Sequence, residues 1–328
     1  MTDKRGEQPY DYGCSPMNFQ GNTAIKYYMR KILPYIKISI CFVLCAAVCI
    51  AFPCMAFIKH DKVKAEEEAM LSVWQIDNFE GGKGSRADFL QKAGGEFSEN
   101  NRCFVTVLSL SAESARLSLS EGNVPDLISY GAGIYGIENF ISGYKTWCQG
   151  GYCLLSTDTN TDFSDVNSQN TVVNEGKDNL SSAAALTCGL QTAVREKSTG
   201  AYVKLINGDY KYLLGTQRDI YRLKTRGVAF TVKPITQFND LYQNISVTTE
   251  SKHVKAAKAY IEYLMSVTDS VNKLGLIAEG AVYDDEMKIM QNLSYDCKLV
   301  APVSLETRKQ IESIISDGDI NMLKNLLK

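Results

Sequence analysis

The chain has 328 residues, with 35 Lys and Arg against 37 Asp and Glu and a formal net charge of −2. No basic excess exists to track a phosphate backbone, which excludes nucleic acid as a partner. Its two histidines, His60 and His253, leave no material for a multi-histidine metal site, and no metal or cofactor is expected.

The first strong element is ISICFVLCAAVCIAFPCMAFI, Ile38–Ile58, uncharged and bounded by Lys37 and Lys59. As a helix it is about 30 Å long, the thickness of the hydrocarbon core. Pro53 within it is tolerated in a membrane helix. The segment before it, 1–37, is longer than a signal-peptide n-region, and the apolar run exceeds a usual h-region. Cys45, Cys49 and Cys54 each follow a residue unsuited to a lipoprotein cleavage site. The reading is an uncleaved transmembrane anchor at the cell membrane. Lys4, Arg5, Lys26, Arg30, Lys31 and Lys37 place the N-terminus in the cytoplasm and the rest outside. Residues 59–70 form a charged stalk, and 71–328 form the extracellular domain.

Five cysteines fall in that domain, an odd number that cannot form a fully paired framework. Cys148 and Cys153 bracket the turn in WCQGGYC, so a local disulfide between them is one reading and small buried side chains the other.

In chain order, LSVWQI (71–76) reads as a buried strand and RADFLQKAGGEF (86–97) as a helix interrupted by Gly-Gly. CFVTVLSL (103–110) is a strand, ESARLSLSEG (113–122) a helix, and DLISY (126–130) a strand. This alternation predicts a parallel sheet with its strand C-terminal ends on one edge. Ligands of open α/β sheets bind outside those ends. Then CLLST (153–157) is a strand and 157–170 a polar loop. Residues 180–194 and 201–208 read as helices, 211–215 as a strand and 216–224 as a helix. Residues 228–235 and 244–249 are strands. KHVKAAKAYIEYLMSV (252–267) carries apolar residues at helical spacing, and short helices finish the chain. The late return of strands predicts two lobes crossed more than once.

VWQIDNFEGGKGSR (73–86) has the composition of a phosphate loop but not its spacing. Lys83 is followed by Gly84, and position 77 is Asp where the first glycine should stand. The loop is therefore a turn at the crevice edge, with Asp77 and Glu80 as polar candidates. Trp74 just before it is either a core residue or a stacking face for a ligand. Trp147 and Tyr152, beside glycines, carry the same two readings. Glu113, Ser114 and Tyr130 fall at the predicted crevice edge. In GTQRD (215–219), Thr216 caps a helix and Asp219 suits its positive end, while Gln217 and Arg218 are candidates for ligand contact.

Five segments in order resemble the carbohydrate-type extracellular solute-binding proteins of bacterial ABC importers. They are VWQIDNFEGGKGSR, VPDLISYGAG, AYVKLINGDYKYLLGTQRD, FNDLYQNISVTTESKHVKAAKAYIEYLMS and LGLIAEGAVYD. The resemblance covers roughly 71–285. It implies an α/β, two-lobed fold of the periplasmic-binding-protein type II kind, preceded by one transmembrane helix. Lobe 1 would span about 71–148 and 245–280, and lobe 2 about 149–244 and 281–328. The implied role is non-enzymatic: an interlobe cleft binds a sugar or oligosaccharide and the closed form docks on ABC permease subunits. About 60 residues separate ISYGAG from AYVKLINGD, fewer than the family usually has, which implies a trimmed second lobe. That departure motivates an alternative, a membrane-tethered sensor or assembly factor on the same fold. An enzyme acting through Asp77 and Glu80 is the least supported reading.

Overall fold

The computed structural model describes residues 31–35, 37–43, 69–133, 136–176, 179–294 and 304–327. Residues 31–35 and 37–43 are helical and exposed. The expected anchor is described only from Ile38 to Val43; 44–58 and the stalk to Glu68 lie outside the described residues. Among the described residues no helix is long and apolar enough to cross a membrane.

The outer domain begins with β1 (Ala69–Ile76), α1 (Arg86–Asn100), β2 (Cys103–Leu110), α2 (Ala112–Ser120), β3 (Leu127–Tyr130) and β4 (Lys145–Gln149). It continues with β5 (Tyr152–Ser156), β6 (Thr171–Glu175), α3 (Ser181–Thr187), β7 (Val194–Lys197), α4 (Ser198–Ile206), β8 (Tyr212–Thr216), α5 (Gln217–Thr225) and β9 (Thr231–Pro234). Then come β10 (Tyr242–Val247), α6 (Val254–Ser266), α7 (Asp285–Ser294), α8 (Leu305–Asp317) and α9 (Ile320–Leu326).

Two five-stranded sheets result, in the orders β2-β1-β3-β10-β4 and β7-β6-β8-β5-β9. In the first, β1 runs parallel to β2 and β3, so their C-terminal ends share one edge, as the alternation requires. β10 returns antiparallel between β3 and β4. In the second, β6 is parallel to β7 and β8. Three strands were not legible in the sequence: β4, whose Trp147, Cys148 and Gln149 read as the start of a turn, β6 and β7. β6 is a short apolar centre in a polar stretch, and β7 (VREK) has no buried apolar side chain. β7 is an edge strand held by main-chain pairing to β6, which leaves no hydrophobic pattern. The helix expected over 180–194 ends at Thr187, before the positive-φ Gly189.

β1 is buried on both faces. Leu71 and Val73 share a core with Leu90, Phe97, Tyr260 and Leu264 from α1 and α6. Trp74 and Ile76 pack with Ala115 and Leu119 of α2. β2 is an edge strand without charge or proline, a liability for aggregation. Gln91 of α1 covers its middle: its Nε2 donates to the Val105 carbonyl at 2.9 Å, and its Oε1 accepts from the Val107 amide at 2.9 Å.

The Gly-Gly of α1 does two different things. A Cβ on Gly94 would lie 2.7 Å from the Val105 Cβ, so that glycine sets the helix-to-sheet spacing. Gly95 has nothing within 4 Å and carries only the entropic penalty of glycine in a helix. Gly94→Ala should therefore destabilise the domain by about 1–3 kcal/mol, and Gly95→Ala should stabilise it by about 0.5–1 kcal/mol. Urea unfolding of the two variants should give shifts of opposite sign.

Candidate functional site

The glycine-rich loop is docked by its own backbone. The Gly82 and Lys83 amides donate to the Leu274 carbonyl at 2.9 and 2.8 Å. A Cβ on Gly82 would lie 2.7 Å from the Gly275 Cα, so two glycine backbones touch there. Gly84 and Gly275 adopt φ of 73° and 62°, where glycine is the unstrained residue. The Gly82 and Lys83 amides are thus engaged inside the protein rather than offered to an anion. Beside the loop, Arg86 is 5% exposed yet charged. It pairs with Asp77 at 2.7 Å, donates to Gln243 Oε1 at 3.1 Å and to the Phe79 carbonyl, and lies 4.2 Å from the centre of the Phe79 ring. A buried guanidinium needs this number of partners. Asp77, Glu80, Lys83 and Arg86 line a cavity of about 300 Å³ here.

The four aromatic candidates are core residues. Trp74 is 8% exposed and Tyr130 fully buried, sharing a hydrogen bond of 3.1 Å with Ser246 Oγ. Burial pushes the Tyr130 phenol up to about 12. Trp147 stacks on Phe89 with centroids 5.6 Å apart and donates from Nε1 to Ser129 Oγ at 3.0 Å. Tyr152 donates to Asp240 Oδ1 at 2.7 Å. None presents an open ring face. Glu113 and Ser114 sit exposed in the first turn of α2, where Ser111 Oγ accepts from the Ser114 amide at 3.0 Å. Gln217, Arg218 and Glu80 are brought together: Arg218 pairs with Glu80, and Gln217 Nε2 donates to the Glu80 carbonyl at 3.2 Å.

Of the two readings of Cys148 and Cys153, the disulfide is not formed and the small buried side chains are found. Both are free, buried thiols, Cys148 in β4 and Cys153 in β5, and they pack in different hydrophobic clusters. WCQGGYC is not a hairpin turn but the first passage of the chain between the two sheets. Burial raises both thiols above their ordinary range.

The chain passes between the lobes three times, at 150–151, 235–241 and 275–284, and the passages bond one another. Gln149 and Ile277 exchange backbone hydrogen bonds of 2.8 Å. The Gly150 amide donates to the Leu241 carbonyl at 2.7 Å, and Asn239 Nδ2 to the Gly150 carbonyl at 3.0 Å. Asp240 is 1% exposed; besides Tyr152 it accepts from the Leu180 amide at 2.7 Å.

Away from these passages, α8 meets lobe 1. The Leu305 amide donates to Glu138 Oε1 at 3.2 Å, and the Arg308 side chain packs against Gly133, which has no room for a Cβ. Arg116, Leu119, Glu138 and Phe140 from lobe 1 and Leu305 and Lys309 from α8 surround a cavity of about 500 Å³. Sequence reasoning missed these residues. Those of lobe 1 and those of α8 lie far apart in the chain, and neither group forms a motif.

Two carboxylates near the site are buried away from solvent. Burial raises Asp240 and Asp219 above their ordinary 3.8, while Tyr152 and Asn174 oppose the shift by hydrogen bonding. The folded chain then holds protons at pH values where the unfolded chain has released them. Stability from these groups rises as pH falls through the folded values toward 3.8, and is lost as pH climbs through them. The difference in unfolding free energy between the native chain and Asp240→Asn should therefore grow as pH is lowered from neutral. A difference that is flat with pH would contradict this.

No protein-family model matches the chain, and no curated protein matches its sequence. Solved structures do. The chain is similar to iron-bound HitA from Pseudomonas aeruginosa, with TM-score 0.52 and 12% identity over 76% of this chain and 99% of that one. It is similar to the spermidine/putrescine ABC transporter substrate-binding protein PotD from Streptococcus pneumoniae, with TM-score 0.53 and 11% identity over 79% and 100%. The GacH receptor of Streptomyces glaucescens GLA.O, solved unliganded and with acarbose, gives TM-score 0.50 and 13% identity over 79% and 94%. The fold is the two-lobed α/β fold of the periplasmic-binding-protein type II kind.

Proposed function

We propose that the chain is an extracytoplasmic solute-binding receptor that delivers a small ligand to an ABC-type permease. It is held at the cell surface by Ile38–Ile58, with its N-terminus in the cytoplasm. The observation that carries this reading is the cavity of about 500 Å³ whose walls come from both lobes. That volume lies within the range of about 300–1,000 Å³ typical of small-molecule sites. A ligand that touches both walls binds the closed arrangement better than the open one, and its differential affinity drives closure. The structurally similar proteins are solute receptors whose named ligands range from iron to polyamine to acarbose.

A sugar or oligosaccharide is the proposed ligand class. Hydroxyl groups find donors in Arg116 and Lys309 and acceptors in Glu138 and Glu306, and an apolar sugar face finds Leu119, Phe140 and Leu305. No catalytic role is assigned to any of these groups.

The second reading is a tethered sensor or assembly factor. It is favoured by one observation: the seam between the strand ends is already filled by Glu80, Gln217 and Arg218.

Thermal unfolding with a panel of mono- and oligosaccharides, polyamines and oxyanions separates the readings. A saturable rise in melting temperature with a sugar is expected, by about 2.7 kcal/mol of added stability at a hundredfold excess over Kd. Leu119→Trp, which fills the cavity, should abolish the rise. No shift with any sugar would reject the carbohydrate assignment. No shift with any panel member, together with a crosslinked partner that is not a permease, would support the second reading.

A further inference from the structure

We infer that Glu80, Gln217 and Arg218 form a latch that holds the two lobes together when no ligand is bound. The inference rests on the two-lobed receptor reading only in giving the latch a purpose. The contacts themselves are features of the fold.

Glu80 belongs to the loop after β1 in lobe 1, and Gln217 and Arg218 are the first residues of α5 in lobe 2. Three contacts converge. The Glu80 carboxylate pairs with Arg218, whose Nη1 also donates to Ser198 Oγ at 3.4 Å. Gln217 Nε2 donates to the Glu80 carbonyl at 3.2 Å. Gln217 Oε1 accepts from the Gly151 amide at 3.1 Å, in the first passage between lobes. One fully buried glutamine thus joins lobe 2, the passage and lobe 1. A Cβ on Gly150 would lie 2.5 Å from Gln217 Oε1, so the passage is shaped around this amide.

The charges suit the position. Glu80 lies at the positive end of the nine-residue α5, which favours a carboxylate there. The surrounding charges are Asp219 and Arg222 on α5, Asp77 and Lys83 on the lobe 1 loop, and Arg86 at the start of α1. Asp77 and Arg86 pair with each other. Arg222 Nη1 is 3.8 Å from Asp219 and donates to the Ser198 carbonyl at 3.0 Å. Arg218 and Glu80 are 28% and 34% exposed, so their pairing is open to screening by salt. A latch of this kind keeps the empty receptor partly closed. An entering ligand then finds the lobes already near their bound arrangement.

The Gly151 amide reports the latch directly, because its acceptor is Gln217. Hydrogen exchange of the ligand-free full chain in detergent micelles should show Gly151 protected. Glu80→Gln and Arg218→Met should each speed its exchange by about fivefold, the scale of a partly exposed ion pair. The Leu213 and Leu214 amides inside β8 should not change. The double variant should be no faster than the singles, and the charge swap E80R/R218E should return toward the native rate. In the native chain, salt of about 1 M, where the Debye length is about 3 Å, should reproduce the single variants. Unchanged Gly151 exchange in both singles, or a charge swap no slower than they are, would overturn the latch. If a substitution also accelerates β8, the salt series on the native chain decides: a salt-independent Gly151 rate rejects the inference. Absence of any ligand in the melting panel would count against the receptor reading and leave the exchange result standing.

Discussion

The contact on which the functional half of this structure depends is the one between two glycines. Gly82 lies against Gly275, and the amides of Gly82 and Lys83 bond the carbonyl of Leu274. No other residue pair could bring those two backbones so close. This contact fixes the loop after β1 to the last passage of the chain between lobes. It therefore fixes where Glu80 points, and it sets Asp77 and Phe79 around the buried Arg86. The glycines of this loop serve backbone approach, which accounts for a composition that imitates a phosphate loop without its spacing.

From that anchor the seam follows as a matter of hydrogen-bond accounting. Every passage between lobes carries backbone groups that no sheet can satisfy, and buried polar groups left unpaired are costly. Here the passages satisfy one another, through Gln149 with Ile277 and Gly150 with Leu241. Side chains complete the set: Asn239, Asp240, Gln217 and Gln243 are nearly or fully buried and each holds a neighbouring element. Between these polar groups the passages also bury apolar side chains, among them Phe238, Leu241 and Leu276, which belong to the main hydrophobic core.

The two cavities differ in kind. The smaller one is bounded by the loop after β1 and by Leu274 and Leu276, and its charges largely face one another. The larger one has an apolar base, charges of both signs and walls from separate lobes.

The sequence by itself determined the elements with strong periodic signals. β1, β2, β3 and β8 are short apolar runs between turn residues, and α1 and α6 carry apolar side chains at helical spacing. Their alternation required a parallel sheet, because consecutive parallel strands need a crossover. The cap of α5 was also legible, since Thr216 and Asp219 act within four residues of each other. Tertiary structure decided the rest. Whether Trp74, Tyr130, Trp147 and Tyr152 face a crevice or a core depends on which helix covers each strand face, and no local pattern encodes that. The fate of Cys148 and Cys153 depended on their strands entering different sheets. Glu138 meets Leu305, and Gly133 meets Arg308, across more than 160 positions of chain. Contacts at such separation depend on how distant elements pack in three dimensions, so a sequence read through local spacing holds no sign of them.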